Sequence, residues 1–151
     1  MADTALLMAR ARERWDDVPA AAALLQRALE LDPGCLEAYV WLYKLYFYNR
    51  RLDEADHYAR LALATAAALG RFGYDWRKAR PWTTDWNLDQ GPQRGYLYTL
   101  KALAFIRLRQ ADLEEGEAVL DKLGELDPED RVGACVVRQL AQRLREDRDA
   151  A

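Results

Sequence analysis

Residues 24–34 read LLQRALELDPG and residues 119–129 read VLDKLGELDPE. In each, leucines recur at helical spacing until an Asp-Pro step, where proline cannot continue a helix. The first stretch predicts a helix through Leu24, Leu25, Ala28, Leu29 and Leu31 that stops at Asp32-Pro33-Gly34. The second predicts its counterpart, ending at Pro128. Two helix endings this alike are the mark of an internal repeat.

Composition agrees with helices. The 151 residues include 26 Ala and 24 Leu but only six Val, one Ile and five Thr. Helices favour the abundant residues and strands the scarce ones, so the expected class is all-α. A hydrophobic share of 51% with 31% charged residues fits a globular chain, and the length fits one domain, residues 1–151.

Small residues recur 34 positions apart, Ala21 with Ala55 and Ala28 with Ala62. Between them, Tyr39, Leu42, Tyr43 and Tyr46 precede Ala55, Ala59 and Ala62. This pattern resembles the tetratricopeptide repeat, a 34-residue pair of antiparallel helices. The resemblance implies a right-handed superhelix of helix pairs with copies at about residues 4–34, 36–69 and 96–129. The first copy places Ala5, Met8, Ala9 and Arg12 on its first helix, and the third Leu100, Leu103, Ala104 and Arg107. Ala28 and Ala62 are expected at buried helix contacts. Tyr43 stands where the family has Gly or Ala, which implies a wider or tilted pair. Asp53 is the expected cap of the run Glu54–Leu69, with Gly70 as its stop. A last helix over 130–147, with a stripe of Val132, Val136, Leu140 and Leu144, is expected to cap the array.

The spacing then breaks. Tyr39 and its counterpart Leu100 lie 61 residues apart, 27 more than one repeat, and the excess falls in the segment 70–95. Gly70, Gly73, Gly91 and Gly95 punctuate its ends, and it carries Trp76, Trp82 and Trp86. Three tryptophans predict a packed insert, since each buries on the order of 200 Å². The expected contacts are the Trp41–Tyr48 face or the start of the helix at 96–109.

The resemblance also implies a concave groove. Its positions here are Val40, Trp41, Lys44, Phe47 and Tyr48 from the second copy and Tyr98, Lys101, Ala102, Phe105 and Arg109 from the third. The first copy offers Leu6, Leu7, Arg10 and Arg14. Aromatics interleaved with Arg and Lys suit a protein or peptide segment that is partly apolar and partly acidic, while the bland alternative fills the groove with the chain's own insert or N-terminal helix. The Lys, Asn and Arg clamp by which some members hold chaperone C-termini has no match at Leu6, Arg10, Trp41, Tyr98 or Ala102. Size, repeat count and capping helix resemble the small bacterial three-repeat chaperones that hold secretion translocators, although those have no such insert.

Chemistry narrows the role further. The chain has no serine, one histidine (His57) and two distant cysteines (Cys35 and Cys135), so neither a serine nucleophile nor a zinc site is expected. His57 beside Asp53 reads as a surface residue, Cys35 and Cys135 as small packing residues, the latter near the buried face of the last helix. The acidic run 112–117 sits where a helix N-terminus favours carboxylates. Net charge is −2 over 1–70, +5 over 71–109 and −6 over 110–151. That middle block is too mild for a nucleic-acid surface, though Arg77, Lys78 and Arg80 beside Trp76 and Trp82 have the ingredients to stack and pair with a nucleotide. No apolar run spans a bilayer and the N-terminus lacks a signal-like core, so a cytoplasmic protein is expected. The expected function is therefore non-catalytic and cofactor-free: a scaffold or dedicated chaperone. The alternatives are a homodimerising module that uses the aromatic face, or a small-molecule or nucleotide binder that uses the insert.

Overall fold

A computed structural model describes residues 2–151, and among them the chain forms seven α-helices and no strand. They are α1 (Ala2–Glu13), α2 (Val18–Leu31), α3 (Leu36–Tyr48), α4 (Leu52–Gly70), α5 (Pro92–Arg109), α6 (Leu113–Leu126) and α7 (Cys135–Ala150). The chain divides into two compact units, one up to Thr65 and one from Ala66 onward. None of the described helices is long and apolar enough to cross a membrane.

In the first unit, α2 starts where the Asp17 side chain accepts a hydrogen bond from the Ala20 N–H at 3.2 Å, with Pro19 in the first turn. Such caps satisfy donors that the first helical turn leaves unpaired. Asp32 closes the helix, donating its N–H to Ala28 O at 2.9 Å and accepting the Gly34 N–H at 3.1 Å. The core is built from small residues. Ala11, Ala21, Ala28, Ala38, Ala55, Ala59 and Ala62 are all fully buried, around Leu25, Leu42 and Leu45. Methyl-sized contacts let helix backbones approach closely, so a larger side chain there has nowhere to go. Ala28→Leu or Ala62→Leu is expected to destabilise the chain by about 1–3 kcal/mol through overpacking, read by urea denaturation. A neutral result at both would refute these packing contacts. Tyr43 is buried with them, and Tyr46 stacks on Tyr58 of α4 at 5.7 Å between ring centroids.

Helix α4 corrects two expectations. It begins at Leu52, with the Arg51 carbonyl accepting the Ala55 N–H at 3.0 Å, so Asp53 lies inside the first turn. Gly70 is its last helical residue, and the left-handed position falls to Arg71 at φ 61°. Glycine is required at 70 for space: a Cβ there would lie 2.5 Å from Phe72 Cε1. The chain reverses after α4 through a Phe72 N–H to Ala67 O bond of 3.0 Å, and after α3 and α5 through equivalent bonds, Arg51 N–H to Tyr46 O and Asp112 N–H to Arg107 O, both 2.9 Å.

In the second unit, α6 repeats the design of α2. Asp112 caps it by accepting the Glu115 N–H at 3.2 Å, and Asp127 closes it with its N–H on Leu123 O at 2.8 Å. The α5–α6 contact is tight at Gly116, where a Cβ would meet Leu108 Cδ2 at 2.6 Å. Tyr96, Leu97, Leu100, Leu103, Ile106 and Leu123 form the large part of the core.

The last helix starts five residues later than expected. The buried Asp127 carboxylate accepts the N–H groups of Arg131 (3.0 Å) and Val132 (3.1 Å), and Asp130 accepts those of Ala134 and Cys135, so 127–134 folds as capped turns. This moves the buried stripe by one position: Val137 and Ala141 face inward while Val136 is 65% exposed. Cys135, at the helix start, is exposed and not a packing residue.

Helix α7 is also tied to the acidic start of α6. Arg145 Nε donates to Glu117 at 2.8 Å, and Arg148 pairs with Glu114. Arg145 holds the Glu117 carboxyl below the usual range, and at Glu114 its own backbone N–H and Arg148 do the same. A depressed carboxylate pKa contributes stability above the unfolded value near 4.3, and that contribution vanishes as pH falls through the folded one. Amide protection in α7, taken relative to the intrinsic exchange rate at each pH, is therefore expected to fall below about pH 4 by more than it falls in α5. An equal fall in both helices would contradict this coupling.

Candidate functional site

The end of α1 and one face of α3 enclose a cleft of about 280 Å³ in the first unit, lined by Arg12, Trp15, Trp41 and Lys44. Arg12 lies in the last turn of α1, and Trp15 follows in the turn closed by the Trp15 N–H on Arg12 O at 3.3 Å. Trp41 and Lys44 are one helical turn apart on α3, so they share a face. The two indoles meet edge-to-face at 5.9 Å and 86°, and the Arg12 guanidinium lies over the Trp41 ring at 4.9 Å. Ala11 on α1 and Leu42 and Leu45 on α3 are fully buried, so the helices that carry the cleft are fixed in the core of the unit.

All four lining side chains are aromatic or cationic. An apolar group finds indole surface there, and an adjacent carboxylate finds a guanidinium and an ammonium. The volume lies below the 300–1,000 Å³ typical of drug-sized ligands and suits one or two side chains.

Two of the expected groove residues, Trp41 and Lys44, line this cleft. Arg12 and Trp15 were not among them, because the repeat alignment assigned Leu6, Leu7, Arg10 and Arg14 to the groove. Leu7 is instead buried, and Arg14 pairs with Asp17 at 3.3 Å. The overlooked signal was Trp15 three residues after Arg12, at the end of a helix. Val40 and Phe47 are half-buried on α3, and Tyr48 is 72% exposed with Phe47 against its ring.

In the second unit, α5 carries two cation–ring pairs. Lys101 Nζ lies 4.9 Å from the Tyr98 ring and donates to Val132 O at 2.8 Å, so it also fastens the connection into α7. Arg109 lies over Phe105 at 5.4 Å. Of the insert tryptophans, Trp76 and Trp86 are buried, Trp86 against the start of the helix at 96–109 as expected, while Trp82 is 81% exposed. Trp86 meets Tyr96 at 5.7 Å and Phe72 at 5.2 Å, and Arg77 covers Trp76 at 4.3 Å. Residues 92–95, expected at the end of the insert, form the first turn of α5, because Pro92 is well placed to start a helix.

His57 is exposed and lies edge-on to Tyr58 at 5.1 Å. Among the described residues no group of three or more His, Cys, Asp or Glu is placed to hold a metal ion. Within the acidic run, Asp112 caps α6, while Glu114, Glu115 and Glu117 pair with Arg148, Arg77 and Arg145.

No family model matches the chain. It is 30% identical over 126 residues to the uncharacterized 19.8 kDa protein in the nifW 5' region of Azotobacter chroococcum mcd 1, a match that covers 82% of this chain and 70% of that protein. The chain belongs to the same family as that protein.

Proposed function

We propose that the chain is a non-catalytic protein-interaction module of tetratricopeptide-like helix pairs, a scaffold or dedicated chaperone. It holds a partner segment in which an apolar side chain adjoins an acidic one. The observation that carries this reading is the cleft of Arg12, Trp15, Trp41 and Lys44, whose rings and cations match such a segment and whose volume suits side chains. Tryptophan and arginine are also the residues most enriched at energetic centres of protein interfaces. The succession of α1 with α2, α3 with α4, α5 with α6, then α7, supports the repeat reading, as does the full burial of Ala21, Ala28, Ala55 and Ala62 at the repeat spacing.

Selection of a displayed random-peptide library on the purified chain tests the proposal. The expected winners carry Asp or Glu beside Leu, Phe or Trp, and lose binding to Trp41→Ala. Winners without acidic residues, winners indifferent to Trp41, or no winners would overturn it.

A further inference from the structure

We propose that the loop between α4 and α5 is a second docking surface, and that its occupant is an acidic polypeptide segment bearing an apolar side chain. The surface is centred on Trp82. Residues 80–83 form a tight turn in which the Thr83 N–H donates to Arg80 O at 3.0 Å and the Arg80 N–H to Thr83 Oγ1 at 2.9 Å. Pro81 fixes the backbone just before Trp82, whose ring stands 81% exposed. On the same loop, Tyr74 is 70% exposed and borders a depression of about 280 Å³ with Gly73, Asp75, Lys78, Ala79 and Thr83.

The loop is anchored while Tyr74 and Trp82 face outward. Lys122 Nζ, buried, donates to Ala79 O at 2.7 Å. Trp86 Nε1 donates to Arg80 O at 2.9 Å, and the Tyr96 hydroxyl to Tyr74 O at 2.9 Å. Arg77 pairs with Glu115, and Arg131 with Asp89 at 2.6 Å. A tryptophan held out by a fixed backbone loses little conformational entropy on binding, which is how interface anchors gain affinity.

Charge selects the occupant. Lys78 and Arg80 have no carboxylate partner among the described residues, and the Arg80 guanidinium is held at the loop by Arg77 O (3.1 Å) and Ala79 O (3.0 Å). The carboxylate of Asp75, in the same depression, is taken up by the Arg77 N–H at 3.1 Å. Two cations without a carboxylate partner, on the loop that exposes Tyr74 and Trp82, fit a short acidic segment. A nucleic acid would also bring its phosphates against Asp75, Asp85 and a chain of net charge −3.

Indole N–H signals in nitrogen-15 correlation spectra of the full chain report each of the five tryptophans separately. The probe is the peptide acetyl-Glu-Glu-Leu-Phe-Glu-Glu-amide, with a version carrying Lys for Glu as control. The acidic peptide is expected to shift the Trp82 signal saturably and the lysine version to leave it in place. Trp82→Ala and Lys78→Glu are expected to weaken binding at this loop at least about tenfold, followed by the Tyr74 amide, with the Trp86 signal unmoved. An unmoved Trp82 signal, or an equal response to the lysine peptide, would overturn the proposal. So would a stronger response to a deoxythymidine decamer, which would assign the loop to nucleic acid, or a shift on dilution alone, which would assign it to a second copy. Shifts at Trp15 and Trp41 without Trp82 would uphold the cleft and overturn this surface, and the reverse pattern would do the opposite.

Discussion

Replacing Tyr96 by alanine is expected to destabilise the second unit by about 3–5 kcal/mol, the range for deleting a large buried aromatic. The ring is fully buried, 5.0 Å from Phe72 and 5.7 Å from Trp86, and its hydroxyl donates to Tyr74 O at 2.9 Å. It joins the start of α5 to three points of the loop, Phe72, Tyr74 and Trp86, so its removal opens a cavity between them. Tyr96→Phe keeps the ring and loses only the hydrogen bond. Since Tyr74 is exposed and water can replace the donor, that change is expected to cost about 1 kcal/mol or less. Burial, with a smaller contribution from Asp75, pushes the Tyr96 phenol pKa far up. The neutral ring therefore contributes stability below the unfolded value near 10, and loses it as pH rises beyond that. Urea denaturation followed by tryptophan emission measures all three effects. A loss under 1 kcal/mol for Tyr96→Ala would contradict the packing described.

Trp41→Ala is expected to weaken the segment held in the cleft by about 2 kcal/mol, close to a 30-fold loss of affinity. The indole forms one wall of the cleft, meets Trp15 edge-on and carries the Arg12 guanidinium on its face. Its removal takes away the apolar wall and the support that positions the cation. The helix should survive, because the fully buried Leu42 and Leu45 anchor α3 in the core of the first unit. Lys44→Ala is expected to cost less, since a flexible ammonium is more easily replaced by solvent. Fluorescence anisotropy of a labelled, selected peptide gives both affinities, and unchanged circular dichroism separates lost binding from lost fold.

The helices were legible because local rules and the tertiary structure agree along most of the chain. The paired Leu-Asp-Pro endings, with Asp32 and Asp127 closing their helices, followed from backbone chemistry alone. The alanines at 28 and 62 followed from spacing. What escaped was decided by side-chain contacts that helical periodicity does not encode. Gly70 looks like a helix stop, but its missing side chain makes room for Phe72. Val132 and Val136 fit a helical stripe, yet the carboxylates of Asp127 and Asp130 capture the intervening backbone N–H groups and delay α7. At the cleft, Trp41 and Lys44 were readable from the amphipathic pattern of α3. Arg12 and Trp15 were not, because Trp15 lies beyond the last regular turn of α1, where helical periodicity carries no information. Trp82 escaped for a similar reason: composition argues for burying tryptophan, and only the turn at Pro81 shows that this one points outward.

The central claim is that the cleft on α1 and α3 recognises an acidic group next to an apolar one. The most direct measurement is a charge swap followed by calorimetric titration. A selected acidic peptide and its Lys-for-Glu version are each titrated into the wild-type chain and into Arg12→Glu. The account predicts that the wild type binds only the acidic peptide, and that Arg12→Glu loses it by at least about tenfold while gaining the lysine version. Equal binding of the acidic peptide by the wild type and Arg12→Glu, with no gain for the lysine version, would contradict it.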